Sequence, residues 1–156
     1  MKYYIGIVGS GADKFTEETG LLAKQHIRDI IETLIEGNIG LTDLVIVSGH
    51  SPLGGIDIWA EEIANFLGLL KDIKAPKTQS WNGEYGYKQR NLDIARTSDI
   101  VHVIVPKIYP TTYKGPHYQT CYHCRNARPE HIKSGACWTA IQAIMLGKPA
   151  SWRIIS

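Results

Sequence analysis

Net charge is the first thing this chain lacks: the formal balance is only +2 over 156 residues. No Lys/Arg run forms a basic stripe, so a nucleic-acid partner is not expected. No apolar run is long enough to span a bilayer, which argues against a membrane partner. The opening "MKYYIGIVGS" carries one lysine and a very short apolar run with no cleavage-like site. It does not read as a signal peptide, and a cytoplasmic location is the expectation. Cysteine is scarce as well. There are three, an odd number bunched between positions 121 and 137, which fits metal or thiol chemistry better than a disulfide framework. Internal repeats and low-complexity tracts are absent. What remains is an ordinary balance, 44% hydrophobic and 21% charged, in a length that suits one compact domain, 1–156, able to bury a core without staples.

That chain alternates strands and helices. "YYIGIV" (Tyr3 to Val8), "DLVIVSG" (Asp43 to Gly49), "LLKDIKAP", "DIVHVIVP" (Asp99 to Pro106) and "ASWRII" read as strands, mostly as near-continuous apolar runs. Helical spacing runs from Leu21 to Ile35, through "GGIDIWAEEIANFLG" with Ile58, Ile63, Phe66 and Leu67 on its apolar side, from about Tyr87 to Thr97, and through "CWTAIQAIMLG". "GSGADKFTEETG" reads as a loop. The pattern predicts an α/β, Rossmann-like three-layer sandwich: a mostly parallel sheet of about five strands with helices on both faces.

In such a sheet the site lies beyond the carboxyl ends of the strands. Three Gly/Ser-rich loops fall there: Gly9-Ser10-Gly11, then Ser48-Gly49 with Gly54-Gly55 before a helix, and Ser134-Gly135-Ala136 before the last helix. Glycine lets the backbone approach an oxyanion, and free N–H groups at a helix start favour phosphate. Together they point to a nucleotide or phosphosugar ligand. "GSGADKF" has Lys14 where the third glycine of a dinucleotide fingerprint belongs, and no Walker A pattern occurs. His50 reads as a polar loop residue or a phosphate or acid–base group. Trp59 and Trp138 read as packing residues on helices; Trp81, Tyr85 and Tyr87, in a loop, are candidates to stack on a base.

"IVSGHSPLGGIDIWAEEIA", "YKQRNLDIARTSDIVHVI" and "SGACWTAIQAIMLGKPA" resemble, in order, the strand–glycine loop–helix signature, the "RN..MA..AD..IAF" stretch and the "GT..T...A...GKPV" ending of the SLOG superfamily of Rossmann-like proteins. That group includes the lysine-decarboxylase-like Lonely Guy phosphoribohydrolases. The resemblance runs from Ile5 to about Ile154 and implies a nucleotide site that uses Asp57 as ligand or loop brace and Arg90 as an anion contact. With threonine of the Lonely Guy "PGGxGTxxE" motif laid on Thr139, its catalytic glutamate falls on Gln142. Glutamine cannot act as a general base. The expectation is therefore a sensor- or carrier-type binding protein. A Lonely Guy-like hydrolase or transferase acting on nucleotides is the alternative, with Asp57 or Glu84 as the acid.

"HYQTCYHCRNARPEHIKSGACWTA" holds every cysteine. Cys121 and Cys124 form C-x-x-C, the spacing that brings two thiolates of one turn to one tetrahedral zinc. His131 and Cys137 complete the expected set, with His117 the rival for the last place. A long segment of little regular structure, about 107–134, needs something to order it, and a structural zinc would do so. A deaminase-like site is excluded because no H-x-E occurs. Homo-oligomerisation stays open.

Overall fold

Alternation along the strands decides which helix covers which face. The computed structural model describes residues 1–118, 120–124 and 130–156; part of the segment 107–134 thus lies outside the described residues. Five strands, β1 (Tyr3–Gly9), β2 (Leu44–Ser48), β3 (Leu70–Ile73), β4 (Ile100–Pro106) and β5 (Ala150–Ile155), form one sheet in the order β3-β2-β1-β4-β5. Every pairing is parallel. Four helices connect them: α1 (Glu17–Glu36), α2 (Ile56–Leu67), α3 (Tyr87–Thr97) and α4 (Gly135–Met145).

Successive strand residues point to opposite faces. Ile5, Ile7, Leu44, Ile46 and Ile104 turn to one side, where Ala23, Ile27 and Ile31 of α1 and Ile56, Ala60 and Ile63 of α2 meet them. Val8, Val47, Val101, Val103 and Val105 turn to the other, under Ile94 and Ala95 of α3 and Ala136, Ala140 and Ala143 of α4. The face under α1 and α2 is thus built on isoleucine and the other on valine. Each fully buried aliphatic side chain stabilises the fold by about 1.5–3 kcal/mol. The three-layer α/β architecture is that expected from the alternation of elements.

Three details differ from the sequence expectation. α1 begins at Glu17, not Leu21, because Thr16 and Thr19 cap it reciprocally: Thr19 N donates to Thr16 Oγ1 at 3.0 Å and Thr16 N to Thr19 Oγ1 at 2.8 Å. Such a cap is worth about 1 kcal/mol and overrides the loop-like composition. Phe66, placed on the buried side of α2, is 84% exposed; Ile56, Ala60, Ile63 and Ala64 make the stripe instead, since 100° per residue carries position 66 round to solvent. α4 starts at Gly135, with Ser134 as N-cap accepting from Ala136 N. Lys148 of "GKP" closes α3 by donating from Nζ to the carbonyls of Ala95 and Arg96, which are among the C-terminal carbonyls a helix leaves unpaired.

The chain runs outward from β1 to β3 and then crosses to β4 on the other side of β1. Strand order reverses between β1 and β4, and the loops at their carboxyl ends part there and leave a crevice.

Candidate functional site

A cavity of about 260 Å³ occupies that crevice. Val8, Gly9, Ser10 and Gly11 at the end of β1 form its floor, followed by Lys14; Ser51 and Leu53 come from the β2–α2 connection and Asp57 from the first turn of α2; Trp81, Tyr87, Arg90, Asn91 and Ile94 come from α3 and the loop ahead of it; His123, Lys133, Ser134, Gly135 and Ala136 come from the segment leading into α4 and its first turn. Two of the three glycine loops therefore reach the wall directly. The middle one reaches it through Ser51 and Leu53, while its glycines stand behind the wall. Ser48, Gly49, Gly54 and Gly55 do not line the cavity, nor does Thr139, whose buried hydroxyl has no partner.

The middle loop braces the first. Ala12 N donates to Leu53 O at 3.1 Å and Ile56 N to Ser10 O at 3.2 Å. A Cβ on Gly55 would collide with the Ser10 carbonyl, and Gly55 has φ +78°, a conformation L side chains avoid. At Gly49 the missing Cβ admits the Arg90 guanidinium and the Asp57 carboxylate, which would lie 2.5–2.9 Å from it. The glycines expected to touch an anion thus serve close approach of protein to protein at these positions.

Arg90 is 7% exposed. Its Nε donates to Asn91 Oδ1 at 2.7 Å, its Nη1 donates to the Gly49 carbonyl, and Asp57 Oδ2 is 3.9 Å from Nη1. Asp57 also accepts from Ser51 N at 3.1 Å. Burial raises the Asp57 carboxyl to about 6, although Arg90 and the Ser51 amide pull it the other way. Burial lowers Arg90 from its ordinary value, opposed by Asp57. Beside them Glu61, buried in α2, accepts from Ser48 Oγ at 2.6 Å and pairs with His50 Nδ1 at 2.8 Å. His50 is held in the left-handed region, φ +48°, and stays off the cavity wall.

The four residues expected to bind metal converge. Sγ of Cys121, Cys124 and Cys137 and a ring nitrogen of His131 lie within 4.8 Å of one another, all buried. His131 Nε2 is 3.3 Å from Cys124 Sγ and 3.9 Å from Cys137 Sγ. Nδ1 lies 2.7 Å from the Ile132 carbonyl, so it carries the proton and turns a lone pair on Nε2 toward the thiols. Trp152 Nε1 donates to Cys137 Sγ at 3.3 Å. Without a cation the thiols cannot all ionise. A hydrogen bond from Cys137 holds Cys121 down at about 4, while the same bond and burial push Cys137 far up, and burial raises Cys124. A divalent ion removes that conflict by stabilising all three thiolates. His117 is elsewhere, its ring 4.4 Å from that of Tyr109.

Composition gives no signal for Lys14 and Lys133 as wall residues: each is an isolated lysine in a polar stretch. His123 is visible in the sequence as a candidate ligand, yet it faces the cavity, with its ring 6.1 Å from Trp81. Trp81 meets Trp138 edge-on at 5.2 Å, while Trp59 packs on Phe15 at 5.2 Å.

The crevice at the reversal point of a five-stranded parallel sheet makes this a Rossmann-like α/β protein. No family model matches the sequence, and no curated protein matches it. Among solved structures the chain is similar to the molybdenum cofactor carrier protein MCP of Chlamydomonas reinhardtii, with a TM-score of 0.57 and 16% identity over 97% of this chain and 76% of that one. At that identity the similarity is one of fold. Among the described residues, no helix is long and apolar enough to cross a membrane.

Proposed function

We propose that this chain is a single Rossmann-like domain of SLOG type that binds a nucleotide or nucleotide-derived small molecule, with a structural zinc in the insertion at about 107–134. One observation carries the reading: the loops after β1 and before α4 meet at one cavity with aromatic rings and cations on its walls. The Ser10 hydroxyl, 4% exposed and without a protein partner, is a buried group that a ligand can satisfy. Polar and charged groups converging with aromatic and aliphatic side chains in one crevice are what small-molecule sites present. The carrier function named for the fold neighbour supports binding without turnover.

Zinc fits the thiol cluster. A tetrahedral ion with Zn–S of about 2.3 Å and Zn–N of about 2.0–2.1 Å places sulfurs about 3.8 Å apart and sulfur and nitrogen about 3.6 Å apart, close to the spacings present. Four protein ligands leave no position for water, so the ion is structural. Bound there, it supplies the cross-link that orders the segment. Elemental analysis and native mass spectrometry of untagged protein test both parts. One zinc per chain and a co-purified small molecule are expected; sub-stoichiometric metal with three freely titratable thiols sinks the zinc assignment.

A second reading draws on Asp57. A carboxyl at about 6 on the cavity wall is poised for acid–base work, so Lonely Guy-like chemistry stays in play even though Gln142 stands in the glutamate's place. Glu84 is exposed and off the wall. Incubation with nucleoside monophosphates decides: the binding reading expects no free base, and steady base release abolished by Asp57→Asn establishes the enzyme.

A further inference from the structure

Arg90, the expected anion contact, already serves the protein itself. Its Nε goes to Asn91, its Nη1 to the Gly49 carbonyl, and Asp57 faces it. An anion would have to compete with all three. Two other cations line the cavity, Lys14 and Lys133, and they are held differently. The Lys133 ammonium lies 4.0 Å from the ring centre of Tyr118 and 5.0 Å from that of Tyr122. Lys14 lies 5.3 Å from the ring centre of Tyr113, and 3.4 Å from the exposed Asp13 carboxylate.

An aromatic face attracts an ammonium through its quadrupole without cancelling its charge, whereas a carboxylate partner neutralises it. Tyr118 and Tyr122 therefore position Lys133 and leave its charge available, while Lys14 shares its charge with Asp13, an exposed partner whose pull water screens. The lining holds three cations, Lys14, Arg90 and Lys133, against one carboxylate, Asp57. The Ser10 hydroxyl, buried and unpartnered, lines the same cavity, and Ser134 and Gly135 open α4 beside Lys133. The helix start alone would not define a site; the orphaned hydroxyl, the ring-seated Lys133 ammonium and Lys14 on the same lining supply the rest.

We propose that Lys14 and Lys133, with Ser10, form the anion subsite of this cavity, and that Arg90 positions the loops instead of holding the anion. The assignment rests on reading the cavity as a small-molecule site. It takes a phosphate ester or comparable anion. It also ties the subsite to the metal. Lys133 lies between His131 and Cys137, two of the four converging residues, so a bound ion clamps it from both sides. Lys14 belongs to the short turn Ala12–Lys14, outside the metal-bearing segment, which reaches it through the Tyr113 ring.

Calorimetric titration of the metal-replete full chain with adenosine 5′-monophosphate, ribose 5-phosphate and adenosine tests this. Lys14→Ala and Lys133→Ala should each weaken binding of both phosphates about tenfold or more, the scale of a lost charge-assisted contact, and leave adenosine unchanged. Lys133→Arg should restore most of the loss. Chelation should weaken phosphate binding in the wild type and in Lys14→Ala, and weaken it markedly less in Lys133→Ala. Metal content is measured in every variant, so that a disordered segment is not mistaken for a lost contact. Wild-type protein that binds the phosphates while both lysine variants bind them equally well, or lose adenosine in parallel, overturns the assignment alone. Wild-type protein that binds none of the three overturns the small-molecule reading and the assignment with it.

Discussion

Under α1 and α2 the sheet is closed by Ile5, Ile7, Ile27, Ile31, Ile46, Ile56 and Ile104, all fully buried. The segment 107–134 on the far side has two isoleucines and one alanine as its whole aliphatic content, and Ile108 is exposed. Yet that segment supplies His123 and Lys133, and Ser134 at its end, to the cavity. Area removed from water holds the first region. In the second, three buried thiols and a histidine converge where a core would otherwise be needed, beside tyrosine rings seated on one another and on lysines. The comparison teaches that one cavity can have a wall whose stability follows from apolar area and a wall whose stability, on the zinc proposal, follows from ligand bonds. The two should answer to different perturbations.

The largest expected effect separates them directly. Removing the proposed zinc by chelation, or with Cys124→Ser, should raise amide exchange in residues 107–118 and 130–134 while the β1 and β4 amides stay protected; structural zinc contributes on the order of 10 kcal/mol in small zinc modules, all of it lost with the ion. Ile104→Ala should do the reverse, lowering the free energy of global unfolding by about 2–5 kcal/mol and leaving metal content at one per chain. Hydrogen exchange read by mass spectrometry, with metal analysis alongside, compares the two. Melting of β1 and β4 on chelation would show that the regions are a single cooperative unit.

Asp57 gives an intermediate effect. Its folded-state value, about 6, lies above the ordinary 3.8. The native state therefore holds this proton more tightly, and the group's contribution to stability is fully present below about pH 4 and lost as pH rises through 6. The loss is on the order of 2–3 kcal/mol at one pH unit per about 1.4 kcal/mol. Asp57→Asn should remove that slope. The difference between wild-type and variant urea midpoints, followed from pH 4 to 7, cancels metal release, which affects both proteins. Arg90, Glu61 and His50 face the same carboxyl, and a difference that is flat over the window means that they compensate its burial.

The smallest effect probes the isoleucine face from outside. Phe66, at 84% exposure, touches little of it, and Phe66→Ser should change stability by less than about 0.5 kcal/mol. A thermal shift matching that of a core truncation would place Phe66 in a contact with a second copy of the chain.

Much of the architecture is legible in the chain. Runs such as "LVIVS" and "IVHVIVP" can satisfy two buried faces only in a covered parallel sheet, and the helix expected at about Tyr87 to Thr97 has those bounds in the structure. The C-x-x-C spacing with a nearby histidine and a third cysteine points to the cluster because tetrahedral coordination restricts which spacings can work. The Gly54-Gly55 pair reads as an anion contact, whereas Gly55 makes room for the Ser10 carbonyl; sequence shows that a position needs glycine but not which neighbour requires it. Arg90 stands out in the sequence and its partners do not, because Gly49 and Asp57 come from a different connection.

By itself, then, the sequence determined the order and type of the elements, the parallel sheet and which thiols converge with His131, since each follows from local periodicity or from ligand spacing along the chain. The tertiary structure alone decided that Lys14 and Lys133 share a cavity, that Arg90 is already engaged, and that the glycines of the middle loop stand behind the wall. Those facts depend on which side of β1 the strand β4 lies, and that choice brings together residues more than a hundred positions apart without leaving a local pattern in either stretch.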